Sequence, residues 1–273
     1  MKTILVPTDF SLNAEKAIEY AVHLAVYFSS EIILLHAWEL PHQKSAMFKY
    51  MQDAIKEKAE KNTSELKEKI QDRFPELKIR TVVLMDEADD AIRSLAKTTA
   101  ADLIIMGTKG ASGMQKYFLG SVAADVIEDA PCAVFAVPEK TEYRNIDTIC
   151  FTTNFENYDI KSIANLIPLA EKFNAKIIVT HIEKGNENEE SRFNEFAEKI
   201  KSSIKYKNLE TSYLKGNDIV ERINEFVSEK GIDVLAVARK KRNFLEGLFH
   251  KSITREITYT STIPLMVFQG LED

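Results

Sequence analysis

Sixteen residues of this chain, GTKGASGMQKYFLGSV at 107–122, concentrate groups suited to holding an anion. They contain Gly107, Gly110, Gly113 and Gly120, all the glycines of residues 1–142. Glycine lets a backbone approach a ligand closely and adopt φ > 0. The loop runs into a helix that begins near Gly120-Ser121. Successive N–H groups at such a start, with the positive end of the helix dipole, favour a phosphate. Ser121 adds a hydroxyl donor, and Lys109 and Lys116 are candidate cations. A first strand-like run ends in Pro7-Thr8-Asp9, where Asp9 could accept from a ribose hydroxyl or help hold a metal. The loop is not a Walker A, because no Gly-Lys-Ser/Thr closes it, and it is not G-x-G-x-x-G. The residues alone read as a phosphate or nucleotide site, set against a plain glycine-rich connection.

The elements that position these groups follow from apolar spacing. Residues 3–7 (TILVP) are a short β-rich run. Residues 11–28 carry Ala14, Ala17, Ile18, Ala21, Leu24, Ala25 and Phe28 at helical spacing, with Ser11 or Asn13 as cap. EIILLHA (31–37) is a strand, and the charged segment 43–73 is a helix ended by Pro75. KIRTVVLM (78–85) is a strand, 87–98 a helix, DLIIMG (102–107) a strand, 120–129 a helix and CAVFAVP (132–138) the last strand. Continuous apolar strands alternating with helices predict an α/β fold, a parallel sheet covered on both faces. Right-handed crossovers make it doubly wound and Rossmann-like, with ligands beyond the carboxyl ends of the strands at the switch point. Pro7-Thr8-Asp9 and Met106-Gly107 both lie at such ends.

The chain contains this unit twice. At an offset of 145, Ile4/Ile149, Thr8/Thr153, Phe10/Phe155, Lys16/Lys161, Leu24/Leu169, Ala25/Ala170, Phe28/Phe173, Ile32/Ile177, Ile33/Ile178 and His36/His181 match. Further along the offset is 131: Asp102/Asp233 precede the apolar runs LIIM and VLAV, and Phe118/Phe249 and Ser121/Ser252 align. Second-unit strands are expected near 147–152, 176–182, 208–214, 232–238 and 263–268. The units are 1–142 and 143–273, divided within EKTEYRNI (139–146). The net charge of −6 argues against general attraction to nucleic acid or an anionic membrane. No stretch approaches ~18 apolar residues, and MKTILVPTDF meets Pro7 and Asp9 before a signal-peptide core can form. Cys132 and Cys150 make neither a disulfide framework nor a four-ligand zinc site, so a reduced, cytoplasmic compartment is expected.

The spacing Gly107-x2-Gly110-x9-Gly120-Ser121 resembles the G-x2-G-x9-G-[S/T] ATP-binding motif of the universal stress protein family. TILVPTDFS (3–11) resembles that family's opening strand and its acidic residue, and MGTKG (106–110) and LGSV (119–122) are similarly close. Both halves share the pattern, so the chain is similar to a tandem universal stress protein. The resemblance implies two tandem Rossmann-like domains, adenine nucleotide alpha hydrolase-like, each a five-stranded parallel sheet with flanking helices. It implies ATP, with or without Mg or Mn, bound in a cleft. Asp9 would meet the ribose, with Pro7 and Thr8 beside it. The backbone around Ala37 would meet adenine. Met106, Gly107, Lys109, Gly110, Gly120, Ser121 and Val122 would surround the phosphates. Asp86 is a departure: the family often has glycine there, and the change narrows the cleft or adds negative charge. The family commonly pairs two domains through their last strands, which implies an intramolecular pseudo-dimer through 132–138 and 263–268, alone or as a homodimer.

The second unit lacks the loop. Asn154 stands for Asp9, Ala238 for Gly107, Lys241 for Gly110 and Lys251 for Gly120, so residues 143–273 are not expected to bind ATP in the family manner. Arg239-Lys240-Lys241-Arg242 reads first as a solvated loop and second as a site for an anion, RNA or an acidic partner. His36 and His181 are a repeat signal; His23, His42 and His250 are isolated, and no HxH or HExxH is present. Cys132 and Cys150 read as buried, inert thiols. Asp86, Glu87, Asp89 and Asp90 read as a helix start. Trp38 covers the adenine edge or belongs to a core or dimer contact, and 43–73 is a lid or an exposed helix. Three functions fit: an ATP-binding stress or regulatory protein with an unidentified protein partner and little or no hydrolysis, a slow Mg-dependent ATPase, or a nucleotide-free dimerising scaffold. No general base or arginine finger favours the second.

Overall fold

β1 (Thr3–Pro7) is short and wholly apolar inside because it lies mid-sheet: Ile4, Leu5 and Val6 have no exposed surface. The computed structural model describes residues 1–39, 47–109, 120–183, 185, 187–216, 218–240 and 263–270, in two units, Met1–Glu139 and Lys140–Asp273. In the first unit β1 leads to α1 (Leu12–Phe28). Ser11 caps α1, its Oγ accepting from Ala14 N–H at 3.2 Å, and Asn13 lies buried inside the helix instead. Then come β2 (Glu31–Trp38), α2 (Met47–Arg73), β3 (Lys78–Met85), α3 (Ala88–Thr98), β4 (Leu103–Gly107), α4 (Ser121–Asp129) and β5 (Ala133–Val137). Residues 43–46, expected in the second helix, lie outside the described residues.

The strand order is β3-β2-β1-β4-β5 with every pairing parallel. The chain walks outward from β1 to β3, then returns to β4 and β5. Right-handed crossovers therefore put α1 and α2 on one face and α3 and α4 on the other. Arg73, donating to both oxygens of Glu19 at 3.0 and 3.2 Å, ties α2 to α1. Arg93 of α3 donates to Asp125 C=O of α4 and pairs with Asp89 and Asp90 of its own first turn. The acidic run 86–90 is thus a helix start. Between β1 and β4 the winding reverses, and their carboxyl ends diverge into a crevice.

The second unit repeats the plan with β6 (Thr148–Thr152), α5 (Asn157–Phe173), β7 (Lys176–Ile182), α6 (Glu189–Ser203), β8 (Leu209–Leu214), α7 (Ile219–Lys230), β9 (Val234–Lys240) and β10 (Leu265–Gly270). Its order is β10-β9-β6-β7-β8, again parallel. β9 and β10 extend two residues beyond the expected ends, because Arg239 and Lys240 pair in register with Gln269 and Gly270. One carboxylate pins each unit's first strand. Asp102 Oδ2 accepts from the N–H groups of Lys2 and Thr3 at 2.6 and 2.9 Å, and Asp233 Oδ2 from those of Asp147 and Thr148, both at 2.9 Å.

Candidate functional site

The crevice of the first unit is built by three chain ends. β1 stops at Pro7, and Thr8, 6% exposed, turns the chain away. Thr8 Oγ1 accepts from Phe10 N–H at 3.1 Å, and Asp9 Oδ1 from Ser11 N–H at 3.1 Å. This folds Phe10 to φ 62, a left-handed conformation unusual for a bulky residue. The Phe10 ring rests 4.6 Å from that of His36, whose Nδ1–H donates to Thr8 C=O at 2.8 Å. Asp9 is exposed at the mouth of the crevice.

β2 outruns β1. Thr8 N–H donates to Leu35 C=O at 2.8 Å, so the polar groups of Leu35 face β1. Trp38 C=O accepts from Asp86 N–H at 3.2 Å, so those of Trp38 face β3. By the two-residue period of a strand, the N–H and C=O of Ala37 face the side that β1 has already left. A planar donor–acceptor edge such as adenine's would meet them there. Trp38 itself is 9% exposed and in register with Met85, so it belongs to the strand packing. Asp86 is exposed beyond β3, its Oδ1 taken up by Glu87 N–H at 2.9 Å.

The third end is β4 and the loop after it. Met106 is buried. Thr108 N–H donates to Val137 C=O at 3.0 Å, and Gly120 N–H to Thr108 C=O at 2.6 Å, so the loop's entry and exit are fastened together. α4 then starts with its first intrahelical bond from Ala124 N–H to Gly120 C=O. The N–H groups of Ser121, Val122 and Ala123 stand outside that ladder, and the N-cap, Gly120, brings no side chain to cap them. They supply the anion-binding end of the crevice. Gly110, Gly113 and Lys116 lie outside the described residues.

Two expectations change in detail. Neither Gly107 nor Gly120 needs a left-handed backbone; Gly120 has φ −74. Gly107 is glycine for space, since a Cβ there would lie 2.7–2.8 Å from the side chain of Asn13. Lys109 turns its ammonium to Glu139, 3.5 Å away, so that charge is shared with a carboxylate. Sequence reasoning offered Asn13 only as a cap, but it donates through Nδ2 to Lys109 C=O at 2.8 Å. Its signal was a polar residue in the first turn of an otherwise apolar helix face. Among the described residues no cluster of three or more His, Cys, Asp or Glu could hold a metal, and no helix is long and apolar enough to cross a membrane.

The family model described as "Universal stress protein family" matches residues 1–138. The chain belongs to the universal stress protein family. A universal stress protein of Methanocaldococcus jannaschii is 30% identical over 142 residues, 50% of this chain and 81% of that one. One from Thermus aquaticus is 31% identical over 141 residues, 50% of this chain and 98% of its own. A solved universal stress protein from Archaeoglobus fulgidus aligns over 98% of both chains with a TM-score of 0.80 at 18% identity, a likeness of fold.

The second unit of this universal stress protein keeps the backbone of the crevice and fills it. Phe155 repeats the left-handed turn at φ 68, and His181 Nδ1–H donates to Thr153 C=O at 2.8 Å. Where the first unit has Ala14, the second has Asp159, 2% exposed. Asp159 Oδ2 accepts from Thr153 Oγ1 at 2.7 Å and from the N–H groups of Asn154 and Glu156 at 3.1 and 3.2 Å. Burial pushes its carboxyl up to about 6, against those donors, which pull it down. Phe155 packs on His181, Phe196 and Phe193, with ring centroids 4.2, 5.8 and 6.3 Å apart. Tyr213 closes the group against His181 and Phe193. Ile182, which corresponds to Ala37, is 5% exposed. Ala238 supplies the Cβ that Gly107 lacks, and Tyr158 stands where Asn13 stands, packed instead where a Cβ on Gly270 would lie, 2.9 Å from its ring. Of the basic run, Lys241 and Arg242 lie outside the described residues, and Arg239 and Lys240 end β9. Cys150 is buried as expected but Cys132 is only half-buried; burial pushes both thiols up to about 12, so both are protonated at neutral pH.

Proposed function

We propose that the first unit binds one ATP and that this universal stress protein is a regulatory protein, not a catalyst. The observation that carries the reading is the convergence at one switch point of three different groups. These are the outward-facing backbone of Ala37, the exposed carboxylate of Asp9 and the uncapped N–H groups of Ser121, Val122 and Ala123. Ala37 reads adenine through its backbone, Asp9 with Pro7 and Thr8 accepts from the ribose, and Met106, Gly107, Lys109, Gly110, Gly120, Ser121 and Val122 surround the phosphates. Mg or Mn, carried on the phosphates, neutralises their charge. Occupancy biases the choice of a protein partner in the cytoplasm. Little or no hydrolysis is expected, because Asp9, the exposed carboxylate at the mouth of the crevice, is engaged by the ribose.

The test is to denature protein purified without added nucleotide, identify any adenine nucleotide released, and titrate Mg-ATP by calorimetry. Gly120→Lys, which copies Lys251, is the control; φ −74 at Gly120 suits any residue, so the backbone tolerates the change. One ATP per chain in the wild type and none in the variant supports the reading. A wild type that is empty and does not bind millimolar Mg-ATP overturns it. Phosphate release that Asp9→Asn abolishes would replace it with the slow ATPase.

A further inference from the structure

We infer that Asn13 is the positioning residue that sets the phosphate loop. It stands in the first turn of α1, 4% exposed, and reaches over the end of β4. Its Nδ2 donates to Lys109 C=O at 2.8 Å, fixing the first peptide of the loop that Thr108 and Gly120 close. The contact exists only because residue 107 has no Cβ: one built there would lie 2.7 Å from Nδ2 and 2.8 Å from Cγ. Asn13 and Gly107 are therefore an interlocked pair. The chain supplies its own comparison. In the second unit both members change together, to Tyr158 and Ala238, and the loop glycines are absent.

A second observation concerns Oδ1 of the same side chain. It is buried and, among the described residues, accepts no hydrogen bond. A buried acceptor without a donor is destabilising, which an apolar or smaller residue would avoid. The amide cannot be turned to relieve this, because Oδ1 would then face Lys109 C=O. The carboxamide is thus kept in a costly environment for what Nδ2 holds.

This inference rests on the nucleotide reading, and the experiment separates the two. Affinities for Mg-ATP and for adenosine are measured on the full chain by calorimetry. Asn13→Ala should lower ATP affinity roughly 5- to 10-fold, the loss of one hydrogen bond. Adenosine, which lacks phosphates, should change by less than about twofold, a split that a merely structural role would not produce. Asn13→Asp keeps the shape but turns the donor into an acceptor. It should lower ATP affinity further, with the loss persisting at high salt, where a charge effect is screened. It also serves if truncation to alanine prevents folding. Gly107→Ala should cost ATP affinity in the wild type and less beside Asn13→Ala, because the side-chain clash is gone and only the tight approach to Asn13 C=O, 3.1 Å, remains.

A wild type that binds neither ligand overturns the nucleotide reading and this inference with it. A wild type that binds both, with an unchanged ATP-to-adenosine ratio in the Asn13 variants, overturns the role of Asn13 and leaves the nucleotide reading standing. Equal loss of both ligands, or an additive cycle with Gly107, likewise overturns it.

Discussion

Asp159 shows how one side chain reorganises the end of a strand. Its carboxylate gathers the Thr153 hydroxyl and the N–H groups of Asn154 and Glu156, whereas in the first unit Ser11 N–H, the counterpart of Glu156 N–H, donates to Asp9 Oδ1. The burial that permits this also raises its proton affinity, to about 6 from 3.8. The unfolded chain releases this proton near 3.8 and the folded chain near 6. Stability therefore falls as pH rises through that window and is level above it. The difference is on the order of 3 kcal/mol. Thermal melts of wild type and Asp159→Asn between pH 3.5 and 7.5 check this: the wild type should lose stability relative to the variant from about pH 4 to 6, with no further divergence above. A constant difference across the range would refute the assignment. At this scale the sequence was legible in part. Asp9, Ser121 and the glycines stood out by type and spacing. Asn13 did not, because nothing in its neighbours along the chain reveals that it meets Gly107 and Lys109, some ninety residues away.

Elements were the most legible level. Apolar runs of five to eight residues alternate with amphipathic helices, and each strand appears within two residues of its expected range. The ends moved where pairing partners decided them, as Arg239 and Lys240 show against Gln269 and Gly270. Asp102 and Asp233 were visible only as matching letters. Their reason is that a strand starting mid-sheet leaves leading N–H groups outside the ladder, and a carboxylate ahead of the neighbouring strand satisfies two of them. Asp102→Ala is expected to cost about 1.5 kcal/mol, the lower end for charged hydrogen bonds because the site is exposed. Chemical denaturation should show a lower midpoint with an unchanged slope. Asp102→Asn, which retains an accepting oxygen, should recover part of the loss.

For the whole molecule, the consequence of two unequal units is stoichiometry. One nucleotide per chain is expected, and restoring a single letter of the motif should not raise it. Asn154→Asp returns the acidic residue to the second unit, yet Asp159, Ala238 and the Phe155–Phe193–Phe196 packing still occupy the crevice. Calorimetric titration of Asn154→Asp with Mg-ATP should therefore still give one site; two sites would show that the packing yields to a ligand.

The sequence by itself determined the fold class, the duplication, and the family, because apolar periodicity and glycine spacing are local properties written along the chain. It also marked the second unit as altered, through the lost glycines. Only the tertiary structure decided why residue 107 is glycine and what packs at the corresponding place in the second unit. Gly107 answers to a side chain from another element, and the ring of Phe155 meets those of His181, Phe193 and Phe196 only after the strands have aligned. Such contacts depend on which surfaces the fold brings together, and no spacing along one chain encodes them.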